Sequence, residues 1–427
     1  MASITPTPQE DNSLTVATLH QASSAVNSET YSRQTHQRSW PLWPLVPLYP
    51  YGNRQTLCTE VIPGQVWTFD QLQGIFYVVV PIRMTVIKLS TGGLLVYAPV
   101  APTKECITQM RQLTAVHGDV KYIILPTVSG LEHKVFVGPF ARKFPQAQVY
   151  VSPNQWSFPV NLPLTWLGLP LGRTHKLPQH SQDAPFSLDF DYAQLGPIDL
   201  GVGPFEEIAF FHKRSRSLIL TDSIVSIPAQ PPAVLVREPY PMLFHARETG
   251  VEPIEDTAAN RLKGWKRIAL FAMYFQPHAL EIPAWGNVLK EALKGGDRSK
   301  QGYFGLYPFR WRDDWEQSFD QLHGNGRLFV APILQQLIFN RDPKDVLEWR
   351  DRVCQWDIQR IIPCHFDCPI AATPTELYQA FMFLETGTTQ QPIPGTQQGG
   401  LPIEDLFTMK QLDNRLNQLG ITRLPKC

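Results

Sequence analysis

Three stretches place polar side chains suited to metal ligation or proton transfer directly after a short apolar run. They are Ile123-Ile124-Leu125-Pro126-Thr127-Val128-Ser129-Gly130-Leu131-Glu132-His133, Leu218-Ile219-Leu220-Thr221-Asp222 and Ile361-Ile362-Pro363-Cys364-His365. Apolar runs this short, bounded by turn residues, read as buried strands. In sheets covered by helices, the strand ends and their loops are where sites are assembled. Imidazole and carboxylate suit Zn²⁺, Fe or Mn²⁺, and a metal with an open position turns water into a nucleophile. Without a metal, Glu132 and His133 would form a general acid–base pair. The plainer readings are a turn-capping role for Asp222, hydrogen-bonded histidines at a sheet edge, and a solvated Glu132 in a loop.

Other candidates carry less. Cys364-His365-Phe366-Asp367-Cys368 is a C-x₃-C pair with no second pair nearby, so buried inert thiols are expected rather than structural zinc. No G-x-S-x-G frame surrounds Ser129. His175, His180, His212, His245, His278 and His323 stand alone. Arg261–Phe275 interleaves Arg261, Lys263, Lys266 and Arg267 with Leu262, Trp265 and Phe271. It reads either as a helix on an anionic membrane surface or as a solvated face of a packed helix. Trp311 and Trp315, at i, i+4 spacing, read as core on one helix.

The elements that must position these residues follow from composition and periodicity. The chain of 427 residues is 43% hydrophobic and 18% charged, enough to bury a sizeable core and unlike a disordered or coiled-coil protein. Lys+Arg and Asp+Glu both number 38, so no basic excess points to nucleic acid. Six cysteines do not make a disulfide framework. No secretory signal and no spanning apolar run are visible, so a cytoplasmic protein is expected, with a plastid leader as the alternative. Thirty-nine prolines punctuate fixed loops.

Residues 1–54 read as a flexible tail and Pro-rich lead-in. Strands are expected at Gln65–Phe69, Ile75–Val80, Met84–Lys88 and Leu94–Tyr97, with a turn at Thr91-Gly92-Gly93. A helix follows at Thr103–Val116, then a strand at Tyr122–Leu125, a helix at 134–143 and a strand at Gln148–Val151. A Pro-rich excursion over 153–204 shows little periodicity. A hairpin, Glu207–Phe211 with Leu218–Leu220, leads to a second excursion, 228–343, with helices at Asp256–Phe275, Arg310–Leu322 and Leu328–Phe339. Helix Pro343–Trp356, strand Arg360–Pro363 and helix Pro374–Leu384 complete the core. A linker near 387–400 precedes a terminal helix, Ile403–Leu419.

The order strand–Thr127…His133, hairpin–Asp222 and strand–His365 resembles the metallo-β-lactamase superfamily, whose motif is Thr-His-x-His-x-Asp-His with a later Asp and a last His. Residues 127–133 match it in length, with Glu132 at the acidic position, His133 at the final His, Asp222 at the later Asp and His365 at the last His. The chain is similar in particular to an uncharacterised branch, domain of unknown function 4336, through Ser215-Arg216-Ser217-Leu218-Ile219-Leu220-Thr221-Asp222 and the Pro-rich excursions. The resemblance implies an α/β fold, an αββα sandwich over about 55–390 with large helical and Pro-rich insertions. It further implies one Zn²⁺ or Fe ion on His133, Asp222 and His365, with Glu132 as ligand or proton acceptor, activating water against an ester, thioester or phosphoester. Val128 and Gly130 stand where the first two histidines belong, so the first metal position is lost. No Gly-His-Thr-Pro-Gly segment supplies the intermediate His, for which His212 is a poor substitute. The alternative is an inactive fold reused as a binding or assembly module, docking a protein partner through its insertions.

Overall fold

Alternation along the strands decides the layers. In the computed structural model, which describes residues 48–50, 54–128, 131–157, 161–295, 297–385 and 400–424, fifteen strands form two main sheets and one two-stranded ribbon. The first sheet holds β1 (Leu48–Tyr49), β2 (Leu57–Ile62), β3 (Val66–Ile75), β4 (Val78–Lys88), β5 (Leu94–Tyr97), β6 (Val120–Leu125), β7 (Gln148–Val151) and β8 (Thr174–Lys176). Their order is β1-β3-β4-β5-β6-β7-β8, and β2 also pairs with β3. The second runs β15-β14-β11-β10-β9, from β15 (Ile370–Ala371), β14 (Arg360–Pro363), β11 (Ser217–Leu220), β10 (Pro204–His212) and β9 (Phe190–Asp199). β12 (Leu280–Glu281) and β13 (Arg310–Trp311) form the ribbon.

Tyr97, Ile124, Phe210, Ile219 and Ile362 pack between the two main sheets. Their neighbours Val96, Ile123 and Leu125 face the other way, against Met110 and Phe140. These belong to helices α1 (Lys104–His117) and α2 (Leu131–Ala141). In the second sheet Ala209, Phe211, Leu218 and Ile361 face outward, onto Trp349. Side chains on alternate faces bury against different layers, as the period of two requires. The result is helix–sheet–sheet–helix, the expected αββα sandwich. α1 begins where expected, at Thr103, whose hydroxyl accepts from the Cys106 amide at 3.2 Å, and it stops at Gly118 with φ 91°.

The remaining helices are α3 (Ala233–Arg237), α4 (Tyr240–Ala246), α5 (Ala258–Tyr274), α6 (Trp285–Lys294), α7 (Trp315–His323), α8 (Pro332–Leu337), α9 (Pro343–Val353), α10 (Pro374–Ala380) and α11 (Ile403–Gln418). Gly264 lets α5 close on α4, for a Cβ there would sit 1.8 Å from the Met242 carbonyl oxygen. Leu406 of α11 joins the same core.

Several expectations need correction. Ile75–Val80 is not a strand, because Phe76 and Tyr77, with φ of 55° and 64°, turn the chain between β3 and β4. A two-residue hairpin turn with both φ values positive favours Gly or Asn. Here burial of Tyr77 and stacking of Phe76 on Tyr303 at 4.0 Å hold it instead, leaving no turn signature. β4 runs unbroken through Pro81. Of β4, only Thr85–Lys88 pairs with β5, so that edge of β4 is open at Pro81 and proline is tolerated there. The excursion 153–204 contains β9, a ten-residue edge strand masked by Gly196-Pro197 and by its acidic residues.

Arg310–Leu322 is a two-residue strand followed by α7, and Leu328–Phe339 shortens to α8, since Phe329 pairs with Val225. Trp311 and Trp315 therefore share no helix. They meet edge to face at 6.1 Å around the Arg267 guanidinium. α5 is no membrane-surface helix: Trp265, Arg267 and Ile268 are buried, and Lys263 and Arg267 pair with Glu248. Residues 1–47 and 51–53 of the expected tail and lead-in and 387–399 of the linker lie outside the described residues, and Leu48–Tyr49 pairs with β3. No described helix is long and apolar enough to cross a membrane.

Candidate functional site

β5 and β6 run parallel, as do β11 and β14, so their C-terminal ends gather at one edge of the sandwich. The 126–128 loop after β6 is sewn onto the second sheet. Thr127 bridges Glu207, the Ile208 amide donates to the Pro126 carbonyl at 2.8 Å, and Gln155 Nε2 donates to the Thr127 carbonyl at 2.7 Å. Ser129 and Gly130 lie outside the described residues. The chain then enters α2, which begins three residues before the expected helix at 134. Glu132 and His133 thus occupy its first turn rather than a loop.

His133 is buried, and its Nδ1 stands 3.2 Å from the Pro99 carbonyl. A carbonyl only accepts, so Nδ1 carries the proton and the Nε2 lone pair points elsewhere. That Nε2 is buried and has no hydrogen-bond partner among the described residues. Burial first, then the charge of His365, pushes the His133 imidazole down to about 4, so it is neutral.

His365 follows β14. Its Nδ1 faces the Pro81 carbonyl at 2.8 Å, and its Nε2 lies 3.0 Å from Asp222 Oδ1. Both contacts are to acceptors when Asp222 is ionised, so both nitrogens donate and the ring is an imidazolium. Burial opposes that charge, but the bond to Asp222 and the charges of Asp222 and Glu132 outweigh it and raise the His365 pKa. Reciprocally, burial would raise the Asp222 carboxyl, yet the hydrogen bond and charge of His365, with His133, bring it below its usual range. The Asp222 side chain is 32% exposed and that of His365 15%, so the pair is reached from solvent at the carboxylate.

The structure therefore pairs His365 with Asp222, and His133 and Glu132 lie near enough to act on that pair electrostatically. Among the described residues, no group of three or more His, Cys, Asp or Glu side chains stands at metal-holding spacing. Two features of these side chains nevertheless suit a cation. Both imidazoles are oriented through Nδ1 by a prolyl carbonyl, the arrangement that aims Nε2 at a metal, and one of those Nε2 atoms is orphaned. A proton occupies the other, and protons and cations compete for such ligands. Val128 offers only buried aliphatic surface, consistent with loss of the first position. His212 lies at the far end of β10, its Nδ1 2.7 Å from Ser215 Oγ, and takes no part. Cys364 is buried, and the described cysteines are all free.

Four residues escaped the sequence reading. Glu207 accepts from the backbone amides of Thr221, Asp222 (3.1 Å) and Ser223 (3.0 Å), fixing the turn that presents Asp222. Burial, then the Asp222 charge, pushes its carboxyl up to about 7. Arg83 donates to the carbonyls of Pro363 at 2.7 Å and Phe366 at 3.0 Å while pairing with Asp70 at 2.7 Å, and so clamps the His365 loop. Ala98, beside the Pro99 that orients His133, and Phe366, beside His365 itself, adopt φ of 55° and 56°. Strain of this kind, about 1–3 kcal/mol apiece, concentrates at functional sites. Carboxylates inside the apolar run Phe205–Phe211 were the available sign of Glu207.

A family model described as domain of unknown function (DUF4336) matches residues 63–383. The chain belongs to that family. A comparison with curated proteins returned no match. Among solved structures, this DUF4336 chain is similar to a metal-soaked Flv1 flavodiiron core from Synechocystis sp. PCC6803, at 10% identity and TM-score 0.38 over 78% of this chain and 61% of that one. It thus spans about three-fifths of that core's length. A metallo-beta-lactamase from Pontibacter korlensis matches at 11% identity and TM-score 0.34, covering 77% of this chain and 99% of that one. A flavo di-iron protein variant from Thermotoga maritima matches at 6% and TM-score 0.42, covering 80% and 63%. Likenesses this distant carry no chemistry across to the DUF4336 site.

Proposed function

We propose that the protein is a divergent metallo-hydrolase-like enzyme that takes one Zn²⁺ or Fe ion on His133, Asp222 and His365 and cleaves an ester, thioester or phosphoester. The observation that carries this reading is the pair of imidazoles whose Nδ1 atoms face prolyl carbonyls, one of them leaving a buried Nε2 without a partner. An unmatched buried acceptor costs about 1–3 kcal/mol, which a ligand would recover. A bound divalent cation would lower the pKa of the water it holds to near neutrality.

The chain's own residues supply the rest. Asp222, partly exposed, faces the substrate side, and its bond to His365 fixes its orientation. Glu132, on the first turn of α2, is the proton acceptor. Glu207 holds the backbone under Asp222, and Arg83 holds the loop under His365.

A second reading, a metal-free binding or assembly module, is favoured by the closed His365–Asp222 contact together with Val128 at the first ligand position. The experiment is elemental analysis of protein expressed with added zinc and iron, followed by a panel of p-nitrophenyl esters, thioesters and phosphoesters. The enzyme reading expects about one metal equivalent and turnover abolished in His133→Ala. The module reading expects neither metal nor turnover in the wild type.

A further inference from the structure

Away from the site, the helix α6 (Trp285–Lys294) buries only part of its apolar arc. Val288 and Ala292 are buried. Trp285, Leu289 and Leu293 follow each other at i, i+4 and i+8 and are 62%, 54% and 70% exposed. At about 100° per residue, that row lies immediately beside the buried face rather than opposite it. Half of a continuous apolar stripe is therefore left uncovered. Exposed Ile282 precedes the helix in the chain, and exposed Phe304 lies in the turn that packs against Ala292 through Gly305.

Cations predominate around this ridge. Lys290 and Lys294 border the ridge on the helix, and Arg298 reaches back to the Leu293 carbonyl. With Lys300 they make four exposed cations, none of which pairs with a carboxylate among the described residues. Of the described acids of the segment, Glu291 alone pairs with a cation, and Asp297 and Glu281 are exposed. Glu291 is closed by Arg310, Asp297 accepts from the Ser299 amide, and Glu281 lies in the β12 strand.

We infer that this ridge docks the protein on an anionic lipid surface, with Trp285, Leu289 and Leu293 entering the headgroup boundary and Lys290, Lys294, Arg298 and Lys300 against lipid phosphates. An in-plane amphipathic helix with Trp and Leu on one side and lysines beside them suits that boundary. A protein partner would match the apolar ridge equally well, and the unpaired cations decide for a negatively charged bilayer. The inference is independent of the metal site.

The test is co-sedimentation of the full chain with neutral phosphatidylcholine vesicles and with vesicles containing phosphatidylglycerol. Binding to the anionic vesicles only, weakening with added salt, is expected. Each cation near the surface is worth about a factor of five, so Lys290→Gln/Lys294→Gln should lower the partition coefficient about 25-fold. Trp285→Ser/Leu293→Ser should abolish binding. Both pairs are exposed, so circular dichroism and the melting temperature should stay unchanged. Absence of binding by the wild type, or binding that neither variant alters, overturns the inference. So does a wild type that ignores vesicles but sediments as a dimer dispersed by Trp285→Ser/Leu293→Ser, because the ridge would then be covered by a second copy.

Discussion

Removing the Arg83 guanidinium should unfold the site from behind. Asp70 and Arg83 face each other across β3 and β4, both buried, with Nε 2.7 Å from Oδ1. Arg83→Met keeps the aliphatic stem but leaves a buried carboxylate without its cation, a loss of about 3–5 kcal/mol. The carbonyls of Pro363 and Phe366 also lose their donors, at about 1 kcal/mol each. Urea unfolding followed by circular dichroism should then show a deficit of about 5–7 kcal/mol. Asp70→Asn/Arg83→Met removes the stranded charge, so the double variant should be more stable than Arg83→Met by about 2 kcal/mol or more. The carbonyl losses remain in the double variant, so it should not reach the wild type. A cost below about 1 kcal/mol for Arg83→Met, or a double variant no better than the single one, would refute the reasoning.

Other outcomes follow from single contacts. Gly264→Ala should destabilise by about 1–3 kcal/mol or more, although helix propensity alone favours Ala by about 1 kcal/mol. The reason is that its Cβ would overlap the Met242 carbonyl, and the melting temperature reads the sign. Glu207→Gln cannot serve three amides and should cost about 1–3 kcal/mol in urea, while weakening any cation held by Asp222. Burial pushes the buried His245 imidazole down to about 3. The unfolded chain therefore takes up that proton first, and stability falls as pH drops from about 6.5 toward that value. Between pH 7 and pH 5 this contributes a loss of about 2 kcal/mol, which His245→Phe should remove from the pH dependence of the urea midpoint.

The candidate residues were legible because each follows its own apolar strand run, a local pattern that survives without tertiary information. Their partners were not, because those partnerships depend on topology. Phe76-Tyr77 carries no turn residue, so the sequence hid the hairpin centre. Once that centre is known, positions summing to 153 (76 + 77) face each other, and the Asp70–Arg83 pair follows by arithmetic. The prolyl carbonyls of Pro81 and Pro99 orient the imidazoles through backbone atoms, which side-chain chemistry cannot reveal. β9 escaped because Gly196-Pro197 interrupts a strand that pairs along only one edge. The layered architecture survived these errors, since the alternation in β5, β6, β10 and β11 fixes which face each residue buries.

If His133, Asp222 and His365 form the cation site proposed above, a proton on His365 now closes it. Calorimetric titration with Zn²⁺ at pH 6, repeated in buffers of different ionisation enthalpy, tests it directly. About one equivalent should bind with about one proton released, and neither should occur in His133→Ala/His365→Ala. Zinc uptake without proton release, uptake unchanged in the double variant, or no uptake at all would contradict it.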